Sequence, residues 1–137
     1  MKYIQVTENL KPELIQFLTK HPWPFHLRPK LTEEQVQEDI GKGKYQNTFL
    51  IQKENTILGI LSLKDLENDA DETPEFDMRI APEARGKGVG TETIKFMIEH
   101  IKEHYPQVRR IEGKTRGDNI AMQKVFEKTN FYRVGAF

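Results

Sequence analysis

The chain has 137 residues, in which 21 Lys and Arg balance 21 Asp and Glu, and it contains no Cys. This length predicts one domain over residues 1–137, while the balanced charge removes any whole-chain electrostatic reason to bind nucleic acid or an anionic membrane. Without Cys, disulfides, thiolate nucleophiles and Cys-ligated zinc are excluded.

The first third of the chain predicts a strand followed by two helices. Residues 3–6 alternate polar and apolar side chains as a strand does, and residues 10–18 carry apolar side chains at helical spacing. Residues 21–29 contain three prolines and predict an aromatic-rich connection. Thr32 then begins the second helix, with Gln35 placed as in a capping box. The opening residues have no apolar core of signal-peptide length, which predicts a cytoplasmic protein.

The middle of the chain predicts an antiparallel meander of three strands. Residues 48–52 and 56–63 are rich in β-forming side chains and form a hairpin, and residues 75–80 form the third strand. The acidic segment before the third strand, residues 65–72, lacks the Gly and the closing Glu of a calcium loop. It is interpreted as a solvated turn.

The last third predicts a helix, a strand, a second helix and a final strand. An apolar stripe from Ile94 to Tyr105 marks the first helix, which Pro106 ends. Residues 108–115 are predicted to form a strand, residues 121–126 a helix and residues 131–137 a last strand. The element order β-α-α-β-β-β-α-β-α-β predicts an α/β protein with a mixed, mostly antiparallel sheet and helices on both faces.

A glycine-rich turn joins the strand that ends at Ile80 to the helix that follows. Alternate glycines permit positive φ and let backbone amides point into one concavity, and the helix N-terminus adds partial positive charge. These features predict a site for a phosphate or diphosphate. The turn contains Arg85, Gly86, Lys87, Gly88, Val89, Gly90 and Thr91, and the Thr91 hydroxyl either contacts the ligand or caps the helix.

Two other classes of phosphate loop fit this turn poorly. A P-loop needs Gly-Lys followed directly by Ser or Thr, whereas Gly88 follows Lys87. A Rossmann fingerprint needs G-x-G-x-x-G on the strand that opens the fold, and several elements precede this turn. A tight loop without a ligand stays open as an alternative.

Two motifs together carry a resemblance to a known family. The segment from Arg85 to Glu92 resembles the R-x-x-G-x-G/A loop of the GNAT superfamily of acyl-CoA-dependent N-acyltransferases. About 30 residues later, Asn119 and the helix up to Phe131 are similar to the second motif of that family. Residues 110–112 and 127–128 resemble most closely the RimJ/RimL-like branch of protein N-acetyltransferases.

The resemblance implies a fold, a cosubstrate and the residues that bind it. The fold is GNAT-like, with a central parallel strand pair splayed to hold acetyl-CoA, and no metal takes part. The backbone of Met78, Arg79 and Ile80 pairs with the pantetheine, and amides from Arg85 to Thr91 hold the diphosphate. Asn119 hydrogen-bonds the pantetheine arm, and Met122 and Phe126 pack beside it.

The reaction implied is direct attack on the thioester by a primary amine, either a protein N-terminus or a small molecule. A carboxylate that acts through water would deprotonate the amine, and the candidates are Glu75, Asp77 and Glu112. Phe126 and Met122 replace the Tyr and Ser that many relatives carry, so neither side chain can protonate the leaving thiolate. A non-catalytic module that binds CoA or a nucleotide is therefore the alternative function.

Three remaining features leave alternatives open. The sequence H-x-x-E-H from His100 to His104 resembles a zinc-protease motif, but a solvent-facing helix is the better interpretation. Trp23, Phe25 and His26 either wall an acceptor pocket or, for Trp23, fill the core. The final strand would leave an exposed edge, which allows a homodimer.

Overall fold

The computed structural model describes residues 1–66, 73–114 and 119–131 and contains one five-stranded sheet of order β1-β2-β3-β4-β5. Adjacent strands are antiparallel up to β4, and β4 and β5 are parallel, as the sequence predicts. The elements are β1 (Lys2–Gln5), α1 (Lys11–Lys20), α2 (Glu33–Gly41), β2 (Asn47–Lys53), β3 (Thr56–Lys64), β4 (Glu75–Ile80), α3 (Val89–His104), β5 (Glu112–Gly113) and α4 (Ile120–Lys128). Within these described ranges, no helix has the length and apolar character needed to cross a membrane.

The helices cover both faces of the sheet. Leu50 of β2 and Ile60 of β3 pack with buried residues of α1 and α2. Their neighbours Phe49 and Leu61 pack with Ile94 and other residues of α3 and α4. Because successive strand residues point to opposite faces, this alternation assigns α1 and α2 to one face and α3 and α4 to the other.

Strands β4 and β5 diverge almost as soon as they pair. Residues 75–80 of β4 pair with β3 at every position, but β5 meets β4 only at Glu75 with Glu112 and at Phe76 with Gly113. Within the described ranges, the edge of β4 that faces away from β3 therefore has no strand beside it from residue 77 to residue 80. This open edge is where the resemblance places the pantetheine.

The predicted strand over residues 108–115 is wrong in its first half. The N–H of Val108 donates to the carbonyl of Tyr105 at 3.0 Å, in a turn around Pro106. Val108 and Ile111 pack against the core under α3 without joining the sheet. Their apolar character thus reflects burial of a connection, and among residues 108–114, which the structure describes, only Glu112–Gly113 forms a strand.

The last residue of the strand predicted over residues 108–115, and most of the strand predicted over residues 131–137, lie outside the residues that the structure describes. Thr115 and residues 132–137 are outside the described ranges, and Phe131 is not in a strand. Residues 67–72 of the predicted acidic turn are also outside them.

The capping box predicted at the second helix is confirmed. The Thr32 hydroxyl accepts from the Gln35 N–H at 3.2 Å, and the Gln35 side chain accepts from the Thr32 N–H at 3.0 Å, which completes the capping box at α2. Asn130 adopts φ of 67° just after α4, a left-handed conformation that Asn tolerates at the end of a helix.

Candidate active site

The glycine-rich turn takes the conformation that its sequence predicts. Gly86 and Gly88 have φ of 75° and 80°, and Gly88 is the N-cap residue of α3. A Cβ atom at either position would meet nothing within 4 Å, so the positive φ, rather than crowding, requires glycine there. Thr91 lies inside the first turn of α3, and the alternative in which it caps the helix is wrong.

Gly90 has a different role from the other two glycines. Its φ is not positive, but a Cβ atom there would lie 3.3 Å from Met78 Cε and 3.3 Å from a Val125 methyl. Gly90 thus lets the start of α3 approach β4 and α4 closely. Gly90, Met78 and Val125 all line the larger cavity described next.

A cavity of about 380 Å³ opens between the glycine-rich turn, the free edge of β4, the start of α4 and the aromatic segment, residues 21–29. Every predicted cofactor-binding residue except Lys87 and Phe126 lines it. Those residues are Met78, Arg79, Ile80, Arg85, Gly86, Gly88, Val89, Gly90, Thr91, Asn119 and Met122. The structure therefore brings two motifs about 30 residues apart in sequence to one cavity.

A smaller cavity of about 70 Å³ lies next to the first. Phe25, His26, Met78 and Asn119 line both cavities. Phe126 joins the lining only in the smaller one, where its ring meets the Phe76 ring edge-on at 6.0 Å. The two cavities together extend from the glycine-rich turn to the middle of β4.

Asp77 is the predicted acid that reaches these cavities. It lines the smaller one, with Oδ1 at 3.0 Å from His26 Nε2 and Oδ2 at 3.3 Å from Arg79 Nε. Burial alone would raise the pKa of Asp77, but the hydrogen bond from His26 and the charges of His26, Arg79 and Lys44 outweigh it and lower the pKa below its ordinary value. Asp77 is therefore an ionised, weakly basic carboxylate.

Glu75 and Glu112 are each held in an ion pair. Glu75 Oε1 lies 3.0 Å from Lys114 Nζ, and Glu112 Oε1 lies 2.9 Å from Arg110 Nη2. Glu75 shares a face of β4 with Asp77, as period two predicts. Among the described residues that line the two cavities, Glu75 and Glu112 do not occur. Lys114, the ion-pair partner of Glu75, lines the smaller cavity.

Trp23 anchors the aromatic segment and belongs to both the core and the cavity wall. Its side chain is 1% exposed, and its Nε1 donates to the Leu18 carbonyl at 2.9 Å. The Arg79 guanidinium, itself buried, lies 5.4 Å from the centre of the Trp23 ring. The interpretation of Trp23 as a core residue thus holds, and its role in an acceptor pocket stays a prediction.

Asn119 has a structural function besides its predicted one. It is the N-cap residue of α4, and its Oδ1 accepts from the Met122 N–H at 3.2 Å. The side-chain NH₂ group is then the part of Asn119 that can donate to a ligand in the cavities.

The H-x-x-E-H motif on α3 packs partly against the sheet. The His100 ring meets the Phe49 ring edge-on at 5.0 Å and stacks on Phe96, so the prediction of a fully solvent-facing stretch is wrong at His100. Burial lowers the pKa of His100, and the neighbouring His104 lowers it further. In the part of the chain that the structure describes, no three His, Cys, Asp or Glu side chains group as metal ligands would.

The sequence did not reveal the contact between His26 and Asp77. The residues are 51 positions apart, and His26 was assigned only to an aromatic wall. An imidazole in a proline-rich segment near a predicted site was the one available signal. To predict which strand residue His26 contacts, one needs the path that residues 21–29 take, and the sequence does not give that path.

Comparison with known proteins identifies the family. Residues 5–132 match the model of a family described as the acetyltransferase (GNAT) domain. The chain belongs to this GNAT family. A curated relative, histidine N-acetyltransferase of Xenopus tropicalis, is 32% identical over 83 residues, which is 60% of this chain. The chain spans about a quarter of the length of that relative.

Solved structures of GNAT proteins share the fold. The aminoglycoside acetyltransferase AAC(6′)-Ib in complex with coenzyme A superposes with a TM-score of 0.79 at 20% identity, covering 98% of this chain and 85% of the other. Spermidine N-acetyltransferase of Vibrio cholerae, in complex with CoA and spermine, gives a TM-score of 0.76 at 16% identity, covering 98% and 82%. At these identities the likeness establishes the GNAT fold.

Proposed function

We propose that the chain is an acyl-CoA-dependent N-acetyltransferase that moves an acetyl group from acetyl-CoA to a primary amine. The larger cavity carries the proposal, because it joins a helix N-terminus of partial positive charge to the open edge of β4. The first feature fits a diphosphate and the second fits the extended amide chain of a pantetheine. Membership of the GNAT family and the CoA complexes of its structural neighbours support the same cosubstrate.

In this proposal the backbone does most of the binding. Amides from Arg85 to Thr91 hold the diphosphate, and the open space over Gly86 and Gly88 lets its oxygens approach them. The backbone of residues 78–80 pairs with the pantetheine, to which the Asn119 NH₂ group donates. Met122 and Phe126 pack beside the inner end of the arm.

Acetyl transfer then needs a free amine and a stabilised oxyanion. An amine with a pKa of about 8 to 10 is mostly protonated at neutral pH, so a base must remove its proton before it attacks. The predicted bases are Glu75, Asp77 and Glu112, acting through water, and a backbone N–H near residues 78–80 stabilises the oxyanion. The departing thiolate, with a solution pKa of about 8.5, leaves without a donor at Phe126 or Met122.

The proposed acceptor is a small-molecule amine or a protein N-terminus. Relatives and neighbours are named for acting on histidine, aminoglycosides and spermidine, which favours a small amine. Phe25 and Asp77 give the smaller cavity an aromatic wall and a negative charge, both of which suit a cationic amine. Membership of the RimJ/RimL-like branch stays a prediction. The homodimer also stays a prediction, and the sedimentation coefficient of the purified chain tests it.

A module that binds CoA or a nucleotide without catalysis is the second candidate. The apolar side chains of Phe126 and Met122 at the inner end of the cavities favour it, since neither can donate a proton. Binding of acetyl-CoA alone does not separate the two candidates, whereas turnover does.

Release of CoA in the presence of amines tests the proposal. The chain has no Cys, so a thiol reagent reports only the CoA released. The panel contains L-histidine, spermidine, kanamycin and a short peptide with a free N-terminus, and mass spectrometry identifies the acetylated amine. We expect turnover with at least one amine, while binding of acetyl-CoA without turnover by any amine supports the non-catalytic module.

A further inference from the structure

We propose that His26, oriented by Asp77, is the catalytic base that takes the proton from the acceptor ammonium group. This inference rests on the acetyl transfer proposed above and replaces a carboxylate base with an imidazole. It makes Asp77 a positioning residue. The argument depends on where His26 lies, on which of its nitrogens carries the proton and on the contacts of Asp77.

His26 lies where the two cavities meet. It lines both of them, as do Phe25 and Met78. The backbone N–H of His26 donates to the Trp23 carbonyl at 3.1 Å, and the buried Trp23 ring meets the imidazole edge-on at 6.4 Å. His26 therefore lies beside the stretch of β4 where the resemblance places the pantetheine.

The hydrogen bond to Asp77 sets the tautomer of His26. An ionised carboxylate can only accept, so the His26 Nε2–H donates to Asp77 Oδ1 across 3.0 Å. The other ring nitrogen, Nδ1, then carries the lone pair and can accept a proton from an amine. A carboxylate that holds an imidazole in this way is a known means of orienting a base.

Asp77 is poorly suited to accept the proton itself. Its Oδ1 is engaged by His26, and its Oδ2 faces Arg79 Nε at 3.3 Å. The lowered pKa of Asp77 agrees with this arrangement, since the partners stabilise its charged form. A carboxylate held in this way is a weak base and a poor proton acceptor.

The proton balance closes without another donor. His26 Nδ1 takes one proton from the ammonium, and the neutral nitrogen attacks the thioester carbon, forming the C–N bond. The C–S bond then breaks, and the second proton lost by the nitrogen neutralises the CoA thiolate. The imidazolium releases its proton to water, so the apolar Phe126 and Met122 are no obstacle.

Several charged groups face this pair and define its pH dependence. Asp77 and Arg79 come from β4, Lys44 comes from the connection after α2, and Lys114 follows β5 on the wall of the smaller cavity. Asp77→Asn replaces the carboxylate that holds the imidazole with a neutral amide. The pH profile therefore reports the coupling between the two side chains.

The test measures kcat/KM against pH for His26→Gln and Asp77→Asn, using acetyl-CoA and the amine of the panel that the wild type acetylates fastest. We expect His26→Gln to lower kcat/KM by about 10²- to 10⁴-fold and to abolish the acidic limb of the profile, with acetyl-CoA affinity retained. Asp77→Asn should lower kcat and change that limb, because it alters the group that orients the imidazole. His104→Gln, on the exposed end of α3, is the matched control and should behave as the wild type.

Rescue of His26→Ala by added imidazole separates catalysis from folding. Imidazole should restore turnover in that variant and not in Asp77→Asn, whereas a structural defect would not respond. The inference is overturned if the wild type acetylates an amine while His26→Gln keeps its kcat/KM and acidic limb. If the wild type binds acetyl-CoA but releases no CoA with any amine, the proposed function itself fails and the inference falls with it.

Discussion

Gly86 and Gly88 have left-handed backbone conformations beside open space, which is the arrangement that a backbone-bound anion requires. The sequence predicted the conformation of this turn, because alternate glycines between a strand and a helix permit positive φ. It could not predict that Gly90 serves packing, since the neighbours that crowd it, Met78 and Val125, come from separate elements.

Substitution of Gly88 tests the anion site. Gly88→Asp places bulk and negative charge at the N-terminus of α3, so calorimetry should find that acetyl-CoA binding is lost. Gly43→Asp is the control, because Gly43 also has a positive φ, of 84°, and lies outside the two cavities. Equal affinity in both variants would show that the diphosphate binds elsewhere.

The two glutamates in ion pairs test the predicted carboxylate bases. If Glu75 or Glu112 acts through water, then Glu75→Gln or Glu112→Gln lowers kcat/KM and changes its dependence on pH. The profiles of the two variants are compared with that of the wild type on the same amine. Should neither variant change the profile, both assignments are wrong.

The ionised Asp77 side chain contributes to the stability of the folded chain, and this contribution depends on pH. Its pKa is lowered in the folded chain, so its stabilising contribution is complete above the unfolded value of about 3.9 and is lost as pH falls through the lower folded value. Asp77→Asn should therefore lower Tm at pH 7 and have a smaller effect near pH 3. Glu83→Gln, at an exposed carboxylate, is the control, and an effect of Asp77→Asn that is the same at both pH values would contradict the assignment.

At the scale of the elements, periodicity predicted the long helices and strands and the short strand β1, but it failed at β5. The helix after the glycine-rich turn follows from a clear apolar stripe, and the strand over residues 75–80 follows from the alternation of polar and apolar side chains. Strand β5 is only Glu112–Gly113, because Val108 and Ile111 pack from a connection. A short apolar run looks alike in a strand and in a buried loop, and tertiary packing decides between them.

The N-cap of α4 gives a prediction at this scale. Asn119→Ala should lower the free energy of unfolding in urea by about 1 kcal/mol and also weaken acetyl-CoA binding, because Asn119 both caps α4 and lines the two cavities. Thr32→Ala removes the cap of α2 at a similar cost of about 1 kcal/mol but should leave binding unchanged. Loss of affinity in both variants would mean that general destabilisation, not contact, weakens binding.

At the scale of the whole molecule, the candidate site exists because four separate parts of the chain meet. The aromatic segment, the open edge of β4, the start of α3 and the start of α4 surround one cavity. Motifs predicted the last three parts, since the resemblance names them in order. The contact between His26 and Asp77 could not be predicted, because no local pattern fixes where a proline-rich connection places its side chains.

The most direct test of the account is a titration of the ¹⁵N-labelled chain with acetyl-CoA, followed through its glycine amide signals. The account predicts that Gly86, Gly88 and Gly90 shift together on binding, while Gly41, the last residue of α2, and Gly43, on the connection after it, stay in place. Saturable binding that leaves the first three signals unmoved would contradict it.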